Sequence, residues 1–218
     1  MFGHAILFSE MNPAAAWEAE FNAWYDQEHI PLRVRAPGFL SAQRYKLPEL
    51  NYLAVYEMDS LAALKTSEYD RIKNQPSELT RRMLGGVSGF TRYLGTEINA
   101  VRKPGASPED APLLYAVWFD VPPDRLADFD AWYDEDHAPL LMQAPAWLGI
   151  RRFDVSVSDP VPYNRLALHY LADRAALDGP ERAQARATPW RAKLAAEPWF
   201  KSSYKVFDRH GVRQMAPG

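Results

Sequence analysis

The chain has 218 residues and no cysteine. This absence excludes disulfide bonds, thiol catalysis and metal sites built from thiolates. Long hydrophobic runs are also missing, since the longest apolar stretches fall far short of a bilayer span. The first residues lack the charged start and cleavage pattern of an export signal. We therefore expect a cytoplasmic protein with no membrane partner.

An excess of charge of one sign is missing as well. The net charge is −3, and the 25 lysines and arginines are not gathered into a long run. Neither a nucleic-acid groove nor a polybasic membrane patch is predicted. Among known motifs, no G-x-G-x-x-G or Walker string, no serine nucleophile elbow and no H-x-x-x-H pair is present. We expect no metal and no cofactor, with haem ligation by one of the five histidines kept as an alternative.

What the chain contains instead is an internal repeat. The segment from Phe21 to Tyr45 returns 108 residues later as Phe129 to Phe153, and 12 of its 25 aligned positions are identical without a gap. Both copies hold the string Trp-Tyr-Asp-x-x-His-x-Pro, which chance does not repeat. The chain is therefore a tandem duplication, and each half supplies about half of one architecture.

Each half reads strand, helix, strand, strand, helix, strand. In the first helix, Pro31 is expected to end the helix near His29. The second helical region is expected to break at Pro76 in the first half and, at the matching position, at Pro189 in the second. The predicted strands are 5–9, 39–47, 52–58, 90–98, 114–121, 150–157, 165–171 and 200–208, with a turn at Pro48-Glu49 between the second and third.

This order, together with Trp24-Tyr25-Asp26-x-x-His29-x-Pro31 and its second copy ending at Pro139, resembles EthD-like members of the dimeric α/β-barrel superfamily in a fused form. The resemblance covers nearly the whole chain in topology, but its sequence support lies in these two strings. It implies an α+β fold of two ferredoxin-like β-α-β-β-α-β repeats, whose four-stranded antiparallel sheets pack as a pseudo-dimeric α/β barrel. It also implies a pocket between sheet and helices that holds a small, often aromatic molecule.

The repeats are placed at 1–101 and 113–218, and a Pro-rich linker at 102–112 joins them. Because both sheets lie on one chain, the barrel can close without a second subunit. A monomer or a homodimer is therefore expected.

His29 and His137 are the leading catalytic candidates. Each lies one helical turn after a tyrosine, Tyr25 or Tyr133, at the edge of an aromatic stripe where partial burial suits a general base. The tyrosine could donate a hydrogen bond to a developing enolate or phenolate oxygen. The alternative is a structural role, because a histidine near a helix end bonds the last carbonyls and interacts favourably with the dipole.

An aspartate precedes each histidine by three residues. Asp26 could hold one ring nitrogen of His29, and Asp134 could do so for His137, fixing the useful tautomer. Further candidates for binding a substrate are Arg33, Arg35, Tyr56, His169, Trp24 and Trp132. Each of these has a plainer alternative, a solvated turn for the arginines and core packing for the others.

The two halves differ at several of these positions. Arg33 and Arg35 are matched by Leu141 and Gln143, and Tyr56 is matched by His169. Such divergence is expected if only one half keeps an active pocket, and the sequence leaves open which half that is.

Two classes of function fit these observations. The first is a cofactor-independent lyase or isomerase that acts by proton abstraction, elimination, retro-aldol cleavage or cyclisation on a small aromatic or polyketide-like molecule. Oxygen chemistry on an activated phenol, as in a cofactor-free monooxygenase, stays open beside it. The second is a binding or accessory protein that holds an aromatic ligand without converting it.

Overall fold

The computed structural model describes residues 3–48 and 51–217. The predicted turn at Pro48-Glu49 includes Glu49, which lies outside these residues. The first repeat consists of β1 (Ala5–Met11), α1 (Glu18–Trp24), a π-helical turn (Tyr25–His29), α2 (Ile30–Val34), β2 (Phe39–Lys46), β3 (Tyr52–Met58), α3 (Ser67–Asn74), α4 (Glu78–Gly86) and β4 (Arg92–Arg102). The second consists of β5 (Leu113–Phe119), α5 (Leu126–Trp132), a π-helical turn (Tyr133–His137), α6 (Ala138–Leu141), β6 (Trp147–Asp159), β7 (Arg165–Leu171), α7 (Pro180–Arg186), α8 (Pro189–Ala195) and β8 (Ser202–Met215).

Within each repeat, the four strands pair in an antiparallel manner. The strand order is β4-β1-β3-β2 in the first repeat and β8-β5-β7-β6 in the second. The predicted α+β class, with two ferredoxin-like repeats of four strands each, is confirmed. The predicted bounds of β3 and β7 are met in full, whereas β8 continues past the predicted end at Asp208 to Met215. That extension carries mostly polar residues, so its hydrophobic pattern gave no strand signal.

The helices of each repeat cover one face of its sheet. In the first repeat, alternate residues of β1, namely Ala5, Leu7 and Met11, pack with Phe21 and Trp24 of α1. This follows from the strand period of two and the helical period of 3.6. The equivalent core of the second repeat contains Leu113, Tyr115, Val117, Phe119, Phe129 and Trp132.

The proline of the repeated string does not end the helix, which corrects the prediction at Pro31 and its counterpart Pro139. In both repeats the chain passes through a π-helical turn, and the proline lies in the first turn of the α-helix that follows. Proline is tolerated there because its missing N–H has no essential partner at a new helix start. The wider turn also shifts the histidine relative to the tyrosine that begins it.

The two prolines of the second helical region occupy different positions, although the sequence alignment matched them. Ser77 caps α4 and Thr188 caps α8, and the caps bond carboxylates at equivalent places in the repeated string, Glu28 and Asp136. Pro76 therefore precedes the capping residue Ser77, whereas Pro189 follows the capping residue Thr188. Position by position, Ser77 corresponds to Thr188.

The structure divides into two compact units, each discontinuous in sequence. One comprises Met1–Thr96, Ser156–Pro160 and Arg209–Gly218, and the other comprises Glu97–Val155 and Val161–Asp208. The domain limits derived from the sequence stay a prediction. Within the described ranges, every helix is too short or too polar to cross a bilayer.

A buried arginine joins the first helix of each repeat to its sheet. Arg152 of β6 has a side chain only 4% exposed, and it forms ion pairs with Asp130 and Asp134. Its guanidinium carbon lies 4.6 Å from the centre of the Tyr133 ring. The equivalent Arg44 of β2 repeats this arrangement with Asp26 and the Tyr25 ring, at 2.9 Å and 4.5 Å. Charge pairing and cation–π contact together offset the desolvation of the guanidinium.

We expect Arg152→Met to lower the free energy of unfolding by about 2–4 kcal/mol, because it leaves Asp134 without its ion-pair partner and Asp130 with Arg165 alone. Arg81→Met, at an exposed site on α4, is the control and should change it by less than about 0.5 kcal/mol. Urea unfolding followed by circular dichroism measures both variants. Equal stability of the two variants would contradict this role of the buried arginine.

Candidate functional site

The second repeat contains a cavity of about 120 Å³ between its sheet and its helices. That volume is close to the space one aromatic ring needs, since an engineered apolar cavity of about 150 Å³ binds benzene. The lining residues are mostly aromatic or basic: Tyr115, Val117, Phe119, Trp132, Tyr133, His137, Leu141, Trp147, His169, Arg182, Arg186, Arg191, Phe200, Ser202 and Tyr204. The cavity lies wholly within the second compact unit.

Three elements bring the polar groups of the cavity together. The π-helical turn supplies Tyr133 at its start and His137 at its end. On the sheet, the register places His169 of β7 opposite Tyr115 of β5 and Ile150 of β6. Side chains alternate along a strand, so these neighbours share the face that the helices cover.

A chain of hydrogen bonds fixes the protonation of His169. The indole N–H of Trp147 donates to Nδ1 of His169 over 3.1 Å, and Nε2 lies 2.7 Å from the hydroxyl oxygen of Tyr133. Burial, with His137 and two arginines nearby, lowers the pKa of His169 well below its usual value, so the ring is neutral at pH 7. An indole only donates, so Nδ1 carries the lone pair and Nε2 carries the hydrogen.

This tautomer sets the role of the Tyr133 hydroxyl. Because His169 donates to its oxygen, the hydroxyl hydrogen is left for another acceptor. Burial raises the pKa of Tyr133 above its usual value, and the nearby Arg152 guanidinium only partly offsets this. Tyr133 therefore stays protonated, and in the cavity it can donate a hydrogen bond strengthened by the bond it accepts.

His137 has the opposite character, that of an acceptor. Its Nδ1 lies 3.2 Å from the carbonyl oxygen of Ala185, which only accepts, so Nδ1–H donates and Nε2 keeps the lone pair. The imidazole stacks on Trp132 with ring centres 4.7 Å apart. Burial lowers the pKa of His137 to about 4, and Arg191 and Arg182 contribute to the lowering. The imidazole is therefore neutral at pH 7 and can accept a proton.

In the first repeat the space around the equivalent histidine is closed, although a cavity of about 220 Å³ lies farther out, lined by Arg33 and Thr80 among others. His29 is only 2% exposed and lies against Trp24 and Tyr25, with ring centres 4.4 and 4.6 Å away. Tyr69 of α3 stacks on Phe39 of β2 at 5.5 Å and is itself buried. In the second repeat Arg182 occupies the position equivalent to Tyr69, so no aromatic side chain fills that part of the cavity.

Asp26 and Asp134 do not hold the imidazoles, which corrects the role expected for them. Asp26 bonds Arg44, and Asp134 bonds Arg152 over 2.6 Å. The reason is the direction of the side chains, because the aspartate lies on the helix side that faces the buried arginine. The expected orientation of His137 is supplied instead by the Ala185 carbonyl.

The other predicted binding residues divide between the repeats. Trp132 and His169 line the cavity of the second repeat. Arg33 donates to the carbonyl oxygen of His29 over 3.0 Å, and Arg35 is exposed. Tyr56 and Trp24 lie in the buried core of the first repeat.

Several lining residues were missed from the sequence, above all Trp147 and the arginines at 182, 186 and 191. Trp147 lay outside the strand predicted at 150–157, and only the structure shows that the strand begins there and that the indole reaches His169. The arginines did leave a signal, because the segment 180–191 has three arginines and one acidic residue. Among the described residues, no group of three His, Asp or Glu side chains is arranged to hold a metal ion.

Searches for relatives found no family model and no curated sequence that matches the chain. Solved structures do resemble it. An anthrone oxidase-like protein superposes with a TM-score of 0.66 at 10% identity, over 99% of this chain and 94% of the other. A chlorite dismutase from Candidatus Nitrospira defluvii gives 0.63 at 6% identity, over 95% and 91%. A candidate monooxygenase from Lactobacillus acidophilus gives 0.56 at 11% identity, over 96% and 94%.

At such low identity these comparisons show the fold alone. They extend over both repeats and fit the α+β fold of two ferredoxin-like repeats predicted from the sequence. The narrower EthD-like assignment stays a prediction.

Trp147→Phe tests the hydrogen-bond chain. Without the indole donor, Nδ1 of His169 loses its partner, so we expect a shift of the ring toward the tautomer protonated at Nδ1. Nitrogen-15 NMR of histidine-labelled protein distinguishes the two tautomers. Trp190→Phe is the matched control, since that indole donates to Asp128 outside the cavity and should leave His169 unchanged. An unaltered tautomer in Trp147→Phe would show that the indole does not fix it.

The pH dependence of stability tests the environment of His137. Its pKa is about 4 in the folded protein and 6.5 in the unfolded reference, so the unfolded chain binds an extra proton between these values. The free energy of unfolding should therefore decrease as the pH falls from about 6.5 toward 4. His137→Gln should make this decrease smaller, while His29 and His169 keep contributing with the same sign. Urea unfolding at pH 7 and pH 5 measures the decrease in the free energy of unfolding. A decrease in His137→Gln as large as in the unaltered protein would contradict the depressed pKa of His137.

Proposed function

We propose that the second repeat is a cofactor-independent acid–base enzyme for a small aromatic or polyketide-like molecule, and that it works as a lyase or isomerase. The observation that supports this proposal most directly is the pairing of an acceptor with a donor in one ring-sized cavity. The acceptor is Nε2 of His137, and the donor is the hydroxyl group of Tyr133.

In the first step, Nε2 of His137 removes a proton from an acidic C–H or O–H group of the bound molecule. The Ala185 carbonyl holds Nδ1–H, so it keeps the lone pair on the nitrogen that reacts and supports the imidazolium that forms. Stacking on Trp132 holds the ring in place. The positive charge is thereby created beside a carbonyl dipole and an aromatic face, both of which attract a cation.

Tyr133 stabilises the negative charge that this step creates. Its hydroxyl donates to the enolate or phenolate oxygen, and His169 increases that donation by bonding the hydroxyl oxygen from behind. Trp147 holds His169 in the required tautomer. Because these groups are already oriented, little reorganisation is needed when the charge appears.

The second step uses the proton held by His137. Returning it to another carbon gives an isomerisation, and giving it to a leaving group at the β position gives an elimination. In a retro-aldol cleavage the proton comes from a β-hydroxyl group, the bond between the α and β carbons breaks, and the proton is returned to the α carbon of the enolate. A low pKa in the resting site favours this return, because the imidazolium is a ready acid.

A second candidate function shares the first step. Two of the structurally similar proteins are described as an anthrone oxidase-like protein and a candidate monooxygenase. In this chemistry the deprotonated substrate gives electrons to dioxygen, one oxygen atom replaces two hydrogens as a carbonyl oxygen, and the other leaves as water. Oxygen uptake in step with substrate loss, measured with an electrode, would select this reaction over a lyase or isomerase.

The remaining alternatives are a ligand-binding protein without chemistry and a haem protein. A binding protein would hold aromatic molecules and convert none of them. Haem fits poorly, because a cavity of about 120 Å³ holds only a fraction of the macrocycle. A Soret band in the purified protein would reverse that judgement.

We expect His137→Gln to reduce turnover by at least about 100-fold, because a general base contributes that much or more. Tyr133→Phe should reduce it by about 10- to 100-fold through loss of the oxyanion donor. Phenylpyruvate in D₂O is a suitable first probe, because proton abstraction appears in NMR spectra as exchange at its methylene group even when no product forms.

His29→Gln is the matched control, since it changes the same position of the string in the first repeat, where aromatic rings enclose the histidine, and should keep turnover within about threefold. All variants are checked for folding by circular dichroism. Equal loss in the two histidine variants, or full turnover in His137→Gln, would contradict the assignment of the reaction to the second repeat.

A further inference from the structure

Three arginines around the cavity have no acidic partner. Arg182 and Arg186 lie on α7 and Arg191 lies on α8, and among the described residues none of them forms an ion pair with a carboxylate. Elsewhere in this repeat, Arg125, Arg152, Arg165 and Arg174 are all paired with acidic groups. Three unpaired positive charges on one small cavity therefore stand apart from the pattern of the surrounding structure.

Two of these guanidinium groups each donate a hydrogen bond to a backbone carbonyl oxygen. The N–H groups on their other edge, the open edge, are left for another acceptor. Arg182 donates from Nη1 to the carbonyl oxygen of Leu177 over 2.6 Å, and Arg191 donates from Nη1 to the carbonyl oxygen of Arg186 over 3.2 Å. Each guanidinium has five N–H donors, so most remain unused. Both side chains are partly buried, and their guanidinium carbons lie 5.9 Å and 5.7 Å from the ring centres of Tyr115 and Phe200. Arg186 is exposed and lies farther out.

The arrangement is electrostatically costly without an anion. Burial lowers the pKa of Arg191, and the charges of Arg186 and Arg182 lower it further. Like charges gathered in a partly buried site destabilise one another, and a bound anion relieves that repulsion. The first repeat avoids it, because Tyr69, Lys73 and Thr80 take the positions of Arg182, Arg186 and Arg191.

A second observation at the same cavity indicates a missing acceptor. In the first repeat, the indole N–H of Trp24 donates to the hydroxyl oxygen of Thr80 over 3.0 Å. In the second repeat, Arg191 replaces that threonine, and the buried indole N–H of Trp132 has no partner among the described residues. A buried donor without a partner is rare in folded proteins. An acceptor atom of a ligand in the cavity would satisfy it.

We propose that the arginines form a carboxylate-binding subsite, so that the ligand of this cavity is a one-ring aromatic acid. This inference rests on the proposed function only in placing the ligand in the same cavity. The ring occupies the aromatic cavity, and the two oxygens of the planar carboxylate meet the open edges of Arg182 and Arg191. Arg186, at the outside, attracts the anion as it approaches.

The subsite also connects binding to catalysis. Arg191 and Arg182 lower the pKa of His137, while Asp136 and the Ala185 carbonyl act in the opposite direction. His169, the other imidazole of the cavity, is neutral at pH 7. A bound carboxylate compensates both arginine charges, so it raises the pKa of His137 and makes the imidazole a stronger base only when an acid is present.

Benzoate and benzamide are matched probes, since they have nearly the same shape and differ in charge. We expect benzoate to bind at least tenfold more tightly than benzamide in calorimetric titrations at low salt. Arg182→Gln and Arg191→Gln should each weaken benzoate binding by about tenfold or more and leave benzamide binding nearly unchanged. Arg174→Gln, a change on the same repeat outside the cavity, is the control and should have no effect.

NMR titration of His137 gives a second measurement that does not require tight binding. Saturating benzoate should raise its pKa, and the Arg182→Gln/Arg191→Gln double variant should raise it without any ligand. Equal affinity for the two probes, no benzoate binding in the millimolar range, tighter binding of phenyl phosphate than of benzoate, or an unchanged pKa in the double variant would each overturn the carboxylate subsite.

The tests of the two proposals are separable. His137→Gln should still bind benzoate, because the arginines are intact, although it loses turnover. Benzoate binding without any turnover of aromatic acids would leave the subsite standing and favour a binding protein. Turnover that depends on His137 but not on the arginines would sustain the acid–base proposal and remove the carboxylate subsite.

Discussion

The geometry of the candidate site depends on a guanidinium buried between a helix and a sheet. Arg152 on β6 is held on one side by Asp130 of α5 and Asp134 of the π-helical turn, and on the other by the ring of Tyr133. A charge this deeply buried is tolerable only when every partner is in place, so the helix has little freedom to shift. The same contact that anchors the helix therefore also positions the tyrosine from which the hydrogen-bond chain of the cavity starts.

The anchor occurs in both repeats, but the proposed chemistry is confined to the second. Around Arg44 the neighbouring space is filled by aromatic rings, and His29 is enclosed among them. In the second repeat, replacing a stacked tyrosine by Arg182 removes a ring from the interior. This explains why the string can be duplicated although His137 lines a cavity and His29 is enclosed by aromatic rings. The repeated string has a structural role in both repeats, and a catalytic role can be added where the surrounding side chains leave space for a ligand.

Within the cavity, donors and acceptors are separated by the way each imidazole is bonded. Two histidines of the same chemical type acquire opposite roles because one receives a hydrogen bond at Nδ1 and the other gives one there. His169 thus serves Tyr133 as a donor, whereas His137 presents a lone pair. Burial lowers the pKa of both imidazoles, and the charges of the arginines act in the same direction. Such a site responds to the charge of a bound molecule as well as to the shape of that molecule.

The sequence by itself determined the duplication, the order of the elements, the ferredoxin-like fold and the importance of the repeated string. These follow from local patterns, namely strand and helix periods and an uninterrupted match between two segments. It also found both tyrosine–histidine pairs and the divergence of Tyr56 and His169. It misjudged the partners of Asp26 and Asp134, because the direction of a side chain depends on which charge lies across from it. Only the tertiary structure decided that the second repeat holds the cavity beside His137, that Trp147 sets the tautomer of His169, and that the arginines of segment 180–191 line the same cavity as both imidazoles. Those are contacts between residues far apart in the chain, and no local pattern specifies how much space remains between them.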